Sequence, residues 1–419
     1  MDLKQLSLSM PQTSISGEIP LPGSKSECNR ALIIQALSEE PIQVHPVSAA
    51  EDTQILQNLL AQVKLYEASA DNGPLTLDVG AAGTVMRFMT AFLTVKPRNY
   101  ILTGSKRMKE RPVKILVEAL QHLGAQISYE ENTGFPPIYI GEAKPVRAAV
   151  KIAGDISSQY LSALLMIAPL LENGLALEIE GELTSRPYVN MTLQMMKNAG
   201  ITYTETAATI TILPQPYKTA MLDIEPDWSA ASYWFSLAAL AKEATVFLPG
   251  LRSDSLQGDR AILEIMKPFG VEACFEDGGL KITKSRINFQ AEVLNLKECP
   301  DLAQTVIVCA AALGQNLSFT GLETLRIKET DRILALQTEL EKIGVRLDEK
   351  DNIFTLDTSA LNFPASVSFE TYHDHRMAMA FAPLALRIGK VNFDNKDVII
   401  KSYPAFWNHL ESCGFQTQS

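Results

Sequence analysis

The stretch Gly23–Val47, GSKSECNRALIIQALSEEPIQVHPV, sets a Gly-Ser-Lys-Ser cluster directly before a run of Arg, Ala, Leu and Ile at helical spacing, and it ends in a β-type segment. The same order recurs at 80–104 (GAAGTVMRFMTAFLTVKPRNYILTG), 155–181 (DISSQYLSALLMIAPLLENGLALEIEG), 227–250, 299–321 and 372–395. Each segment runs from a small or polar cluster through an Ala/Leu/Met-rich helix and a short turn to a strand. Such self-similarity decides a fold before any single motif does, because each repeat is one supersecondary unit. A second, more amphipathic helix follows, as in RPVKILVEALQHLG (111–124), RPYVNMTLQMMKNAG (186–200), GDRAILEIMKPFG (258–270) and ETDRILALQTELEKIG (329–344). The closing Gly is the expected helix stop, and the β-branched residues beyond it (Ile127, Ile201, Thr202, Val271, Val345) suit a strand. The unit reads strand, helix, strand, helix, strand, about every seventy residues. The first helix of each unit is apolar nearly all round, which marks it as interior.

The bulk properties narrow the class. A chain of 419 residues exceeds one ordinary core, so two domains are expected. With 46% apolar and 20% charged residues and no low-complexity tract, the whole chain reads as folded and soluble. A net charge of -11 argues against a nucleic-acid surface, which needs a basic face. The start, Met1 to Gln5, lacks the charged and apolar regions of a secretory signal. The longest apolar stretch, Tyr160 to Leu171, is too short to span a bilayer and predicts a buried helix. A cytoplasmic enzyme without a membrane partner is the expectation. The five cysteines (Cys28, Cys274, Cys299, Cys309, Cys413) are odd in number and far apart, without ligand spacing, which fits a reducing compartment and no zinc.

A buried helix must find partners for the free N–H groups of its first turn. Five of the six first helices open with Ser, Thr, Asp or Gly, residues that cap helices or admit close backbone approach. Reactive side chains gather at these starts and at the second-helix starts: Lys25, Arg30, Arg87, Arg111, Asp301, Lys328, Glu329, Arg332, His375 and Arg376. Helix N-termini attract anions, and added Lys and Arg suit a multiply charged small molecule. GSKS is not a nucleotide phosphate loop: Glu18 holds the first-Gly position and Ser24 separates Gly23 from Lys25. RMKERP (107–112) is either a solvated charged loop or a mobile basic lid before a helix starting near Pro112. ISSQY (156–160) and SRPY (185–188) offer hydroxyl and amide donors to a phosphate or polyol, or serve as caps. KETDR (328–332) places Lys328 and Arg332 four apart, on one helical face, with Glu329 beside them. HDHR (373–376) lacks further ligands for a metal, so an acid–base or anion role for His375 and Arg376 is expected.

Taken in order, LPGSKS..NRAL, AGT.MR, RMKERP, SSQ, S.PY, D.S.AS, PD, KETDR, DHRMAMA and Lys401 in IIKSYP resemble the enolpyruvyl transferase family over nearly the whole chain, above all its branch acting on shikimate 3-phosphate. The resemblance implies an α/β fold, a two-domain inside-out α/β barrel of six βαβαβ-type repeats, three per domain, with helices buried and sheets outside. It implies one discontinuous domain of residues 1–22 plus 228–419, an inserted domain of 23–227, and an active site in the cleft between them. The implied reaction moves the enolpyruvyl group of phosphoenolpyruvate to the 5-hydroxyl of shikimate 3-phosphate, through a tetrahedral intermediate, with release of phosphate. A monomer with these two small-molecule partners, and no cofactor or metal, is implied as well.

Residue by residue, the resemblance assigns proton transfer to Asp301 and Glu329, assisted by Lys25. Phosphoenolpyruvate would be clamped by Arg111, Arg332, Arg376 and Lys401, with Lys25, Gly83 and Gln159 adjoining. Shikimate 3-phosphate would be held by Lys25, Ser26, Arg30, Ser157, Ser158, Gln159, Ser185, Tyr188, Asp301 and Lys328. Three positions depart from the family pattern: Ala81 where Asn is usual, Phe88 where Pro is frequent, and Thr324 where Asn is common. The first two bear on the phosphoenolpyruvate end and on sensitivity to glyphosate; Gly83, which has no Cβ to crowd a substrate, is retained. Two alternatives compete with this reading. The sister transferase acting on UDP-N-acetylglucosamine carries a cysteine in the loop matching RMKERP, and no cysteine falls there in this chain. A non-catalytic anion-binding paralogue would be expected to lose Lys25, Asp301 or Glu329, and all three are present.

Overall fold

The computed structural model describes residues 4–143, 145–154, 157–289 and 293–418. Ile156 of the ISSQY stretch, and Met1 to Leu3 of the N-terminal reading, lie outside the described residues. Among those described, the first helices of the six repeats are Lys25–Leu37, Gly83–Leu93, Ser158–Ile167, Trp228–Leu240, Ala303–Ala312 and His375–Phe381. All of Ala303–Ala312 and His375–Phe381 is buried. The only residue not buried is Thr84 in Gly83–Leu93, Gln159 in Ser158–Ile167 and Ser229 in Trp228–Leu240. The all-round apolar pattern therefore places these five helices inside, and what still reaches solvent in them lies in the first turn; Lys25–Leu37 is less enclosed, with Lys25 and Ser26 of its first turn and Gln35 and Ala36 of its last not buried.

Five sheets share one topology. In each, the strands before and after the buried helix pair in parallel, as with Leu75–Asp78 and Tyr100–Thr103, because a helical crossover joins parallel neighbours. In four of the five a hairpin after the second helix then adds two antiparallel strands, as with Ile127–Tyr129 and Ile138–Ile140; in the fifth, Gln416–Gln418 follows the second helix and the place of its hairpin partner is taken by Leu6–Ser9 from the start of the chain. The unit is thus βαβαββ, one strand longer than the sequence pattern predicts. The extra strand returns through a short turn such as Asp277-Gly278, with Gly278 at φ +86°. The first repeat differs again: Ile42–His45 pairs in parallel with Ala220–Asp223 and forms a two-stranded sheet. The strands alternate buried and outward residues, for example Ala149–Ala153, so each sheet covers the helices with one face.

The chain divides into two compact units, Met1–Ser24 with Glu225–Ser419, and Lys25–Ile224. The divisions fall two to three residues from those expected at 22/23 and 227/228. The backbone explains why: Ser24 N–H donates to Glu225 O at 2.8 Å and Gly23 bridges Pro226, so both crossing strands stay with the first unit until there. The first unit holds three four-stranded sheets around Trp228–Leu240, Ala303–Ala312 and His375–Phe381. Its core includes Trp228, Trp234, Phe235 and Phe269, all fully buried. The second unit holds two four-stranded sheets and the two-stranded one around the other three first helices. Four of the cysteines are buried, Cys274 is exposed, and all five are free thiols.

The glycine stops behave as the sequence predicts. Gly124, Gly200, Gly270 and Gly344 all take positive φ just beyond a second helix or turn. At Gly344 (φ +73°) a Cβ would lie 2.1 Å from Ala360 O, a backbone atom that cannot rotate away. Gly344→Ala is expected to destabilise the fold by roughly 1–3 kcal/mol or more, from the forced φ and the clash. Urea unfolding with an unchanged midpoint would contradict this.

Candidate active site

In the first unit three helix starts converge on Asp301, which sits in the 3-10 turn Pro300–Leu302 leading into Ala303–Ala312. Asp301 Oδ2 accepts from Arg376 Nη2 at 2.9 Å, Oδ1 accepts from Arg332 Nη1 at 3.2 Å, and Lys328 Nζ stands 3.8 Å away. Glu329 accepts from Arg332 Nη2 at 3.0 Å and faces Lys401 Nζ at 3.7 Å. Asp301, Lys328, Glu329, Arg332, Arg376 and Lys401, predicted from four separate stretches, thus lie together. Burial alone pushes the Asp301 carboxyl up, but Arg376, Lys328 and Arg332 outweigh it and hold it well below the usual carboxylate range. Asp301 is an ionised acceptor ringed by cations.

Arg332 is 1% exposed, and a buried guanidinium costs several kcal/mol unless it is paired. Asp374, itself fully buried, accepts from Arg332 Nε at 2.7 Å and from Nη2 at 3.3 Å, a two-pronged pairing that suits the planar fork. Burial lowers the Arg332 pKa, and Asp374, Glu329 and Asp301 more than restore it, so it ends above its ordinary value. Asp374 also caps the helix that carries Arg376, accepting from Arg376 N–H at 2.9 Å. The preceding Tyr372 and His373 are held at φ +52° and +55°. Buried Glu339 secures that strained turn, accepting from Tyr372 Oη at 2.8 Å and from Glu370 N–H at 3.0 Å.

The four-residue spacing in KETDR does not correspond to a helical turn. Lys328 and Arg332 do not share a helical face, because the helix begins at Arg332 and runs to Glu341. Asp331 is its N-cap, accepting from Ile333 and Leu334 N–H at 3.1 Å each. Lys328 and Glu329 precede it in non-helical backbone, and what joins them to Arg332 is shared carboxylates.

In the second unit, Lys25 opens its helix and pairs with buried Asp52 at 3.1 Å. Arg30, one turn on, is 2% exposed and turned into the interior. It donates to Thr192 Oγ1, Ser26 O, Ser162 Oγ and Tyr188 O at 2.7 to 3.4 Å, and its guanidinium lies 5.3 Å over the Phe88 ring. Burial pulls its pKa down to about 10, so it stays charged at neutral pH. Phe88, a departure from the family pattern, thus serves as the apolar platform for this cation. Thr324, another departure, lies in the 3-10 turn Glu323–Ile327 just before Lys328, and Ala81 is exposed.

Gly83 begins the next buried helix, where a Cβ would lie 2.6 Å from both terminal nitrogens of Arg111 and 2.7 Å from Arg87 Nη1. The missing side chain is what lets two guanidinium groups gather on one helix start. Arg87 donates to Gly83 O at 2.9 Å. Arg111 is buried, whereas Arg107 and Lys109 of the same loop pair outward with Glu110 and Glu131. The loop is therefore split between surface pairs and one inward cation, and its helix starts at Lys114, two residues after the expected Pro112. Gln159 Nε2 donates to Thr84 Oγ1 at 3.1 Å, and Tyr160 Oη to Pro112 O at 2.7 Å, joining the Ser158 and Gly83 helix starts to the Arg111 loop. Ser157 caps the Ser158 helix, and Ser185 takes a left-handed conformation (φ +54°) at the cap of Arg186–Asn198, with Tyr188 in its first turn. Ser26 and Ser158 sit in the first turns of their helices.

Residues 10–410 match the family of EPSP synthase (3-phosphoshikimate 1-carboxyvinyltransferase). The chain belongs to the EPSP synthase family. It is 43% identical over 410 residues to a 3-phosphoshikimate 1-carboxyvinyltransferase of Bacteroides fragilis (strain YCH46), covering 97% of each chain. It is 36% identical to one of Sulfurovum sp. (strain NBC37-1), over 96% of this chain and 97% of that one. The fold matches EPSP synthase from Acinetobacter baumannii with a TM-score of 0.77 at 20% identity, over 99% and 100% of the two chains. The enolpyruvyl transferase NikO from Streptomyces tendae shares the fold at a TM-score of 0.73 and 13% identity, over 100% and 99%. The inside-out two-domain α/β architecture of this EPSP synthase family member is thereby shown, and the UDP-N-acetylglucosamine alternative is not favoured. No helix among the described residues is long and apolar enough to cross a membrane.

The pairing of Arg332 with Asp374 generates a stability test. Asp374→Ala strips a fully buried counter-ion and a helix cap, and is expected to cost about 3–5 kcal/mol of folding stability. A variant within experimental error of wild type in denaturant unfolding would contradict the pairing.

Proposed function

We propose that the chain transfers the enolpyruvyl group of phosphoenolpyruvate to the 5-hydroxyl of shikimate 3-phosphate, yielding 5-enolpyruvylshikimate 3-phosphate and phosphate by addition and elimination. The observation that carries this reading is the cluster of Asp301 and Glu329 among Lys328, Arg332, Arg376 and Lys401. Addition needs a base for the hydroxyl proton and an acid for the methylene carbon, and elimination reverses the roles. Asp301 and Glu329 carry those protons, with Lys25 assisting. Arg111, Arg332, Arg376 and Lys401 hold the carboxylate and phosphate of phosphoenolpyruvate, adjoined by Lys25, Gly83 and Gln159. Lys25, Ser26, Arg30, Ser157, Ser158, Gln159, Ser185, Tyr188, Asp301 and Lys328 hold shikimate 3-phosphate. An arriving anion competes with Glu329 and Asp301 for the same cations, which frees those carboxylates for proton transfer. The enzyme works as a cytoplasmic monomer without cofactor or metal.

Phosphate release from phosphoenolpyruvate, dependent on added shikimate 3-phosphate, tests the assignment. Absence of release while both ligands bind by calorimetry would refute it. Asp301→Asn and Glu329→Gln should each lower kcat about 10²- to 10⁴-fold, the usual range for general acid–base groups. Arg111→Ala should cost roughly 2–5 kcal/mol of phosphoenolpyruvate binding or transition-state stabilisation, without loss of fold. Gly83→Ala must displace the Arg111 guanidinium, which stands 2.6 Å from the new methyl position. It should raise KM for phosphoenolpyruvate more than KM for shikimate 3-phosphate, and equal changes would contradict the geometry.

A further inference from the structure

Asp259 lies in the short turn Gly258–Ala261, is 3% exposed, and is absent from every motif that points to the site. It meets the site through Ser229, the one residue of Trp228–Leu240 that is not buried. The Ser229 hydroxyl donates to Asp259 Oδ2 and accepts from Arg376 Nη2 at 3.3 Å. The same nitrogen donates to Asp301 Oδ2 at 2.9 Å, and Arg376 Nη1 donates to Tyr233 Oη at 3.3 Å. Arg376 is thus held by two residues one turn apart on a buried helix and by Asp301.

A hydroxyl has one proton and two lone pairs. While Asp259 takes the Ser229 proton, Ser229 faces Arg376 only as an acceptor. A neutral group at 259 can instead donate to Ser229, and the hydroxyl proton is then free to turn toward the guanidinium. We propose that Asp259 is a positioning residue for Arg376, acting through the Ser229 hydroxyl to fix the guanidinium for its anion. The proposal rests on the reading that Arg376 binds phosphoenolpyruvate.

The groups facing Asp259 give the arrangement a pH dependence. Asp301 faces it from the 300–302 turn and Arg376 from the 375–381 helix, with Asp227 and Ser229 at the start of the 228–240 helix. Cys299 is near as well, its thiol pushed up by burial and then by Asp259. Burial foremost, then Asp301, raise the Asp259 carboxyl to about 6, against the opposing pull of Arg376 and Ser229. As pH falls through about 6, Asp259 takes up a proton, Ser229 loses its fixed acceptor and Arg376 loosens.

The test is KM and kcat for phosphoenolpyruvate, from below to above pH 6, in wild type, Asp259→Asn, Ser229→Ala, the double variant and Arg376→Lys. Above pH 6, Asp259→Asn should raise KM roughly tenfold to a hundredfold, the worth of one charge-assisted hydrogen bond, with a much smaller change in kcat. Ser229→Ala should do the same, and the double variant should be no worse than either alone, because all three break one chain of contacts. The wild-type to Asp259→Asn KM ratio should lose its advantage below pH 6; titration of the substrate is common to both proteins and cancels. The folded-state pKa is raised, so the charge on Asp259 opposes folding above pH 6, and the Asn variant should keep or raise Tm there. A wild-type KM and pH profile in Asp259→Asn, while Arg376→Lys raises KM, overturns the proposal. So does a fall in Tm with Ser229→Ala at wild-type KM, the signature of a merely structural role. A wild-type KM in Arg376→Lys overturns the reading of Arg376 itself, and this proposal with it.

Discussion

A helix apolar on every side can only be buried, and a buried helix brings its unsatisfied first-turn N–H groups inside with it. The rest of this structure follows from that constraint, applied six times. The sheets must lie outside, because each has one apolar face and the helices supply the surface it covers. The helix starts must carry whatever satisfies those N–H groups: a capping Asp at 227 and 374, a Ser at 157, or an opening onto solvent at Thr84, Gln159 and Ser229.

The charge follows from the same burial. The chain is acidic overall, yet Arg30, Arg87, Arg111, Arg332 and Arg376 are all buried at helix starts. Arg30, Arg87, Arg332 and Arg376 are held by protein acceptors, and the two units differ in kind. In the second, Arg30 and Arg87 rest on neutral oxygens and aromatic faces. In the first, Arg332 and Arg376 rest on carboxylates. Neutral oxygens bring no charge of their own to a guanidinium, and the carboxylate whose charge acts on Arg30 is buried Glu27, whereas the carboxylates in the first unit meet their guanidinium groups directly.

Much of this was legible because its signals are local. Helix starts, glycine stops and all-round apolar helices each declare themselves within a few residues, and six copies reinforce one another. What escaped depends on contacts across long stretches of chain. Asp374 reads as a helix cap, and only the fold shows that it neutralises Arg332, 42 residues earlier. Glu339, Asp52 and Asp259 carry no local signal at all, since each is one acidic residue in or beside an amphipathic helix. The extra strand of the four hairpin repeats is short and follows its hairpin partner, so it reads as part of one strand-like run. The four-residue spacing in KETDR imitates a helical face, and the capping strength of Asp331 decides against it.

The proposed reaction gives Asp301 and Glu329, gathered with four cations at buried helix starts, the protons that move on and off the enolpyruvyl group. Turnover in deuterated water, followed by NMR of the product methylene, tests it most directly, because transient protonation of that carbon exchanges its hydrogens. Deuterium should enter the methylene only when both substrates are present, and incorporation should fall with turnover in Glu329→Gln. Full turnover with a methylene free of deuterium would contradict the account.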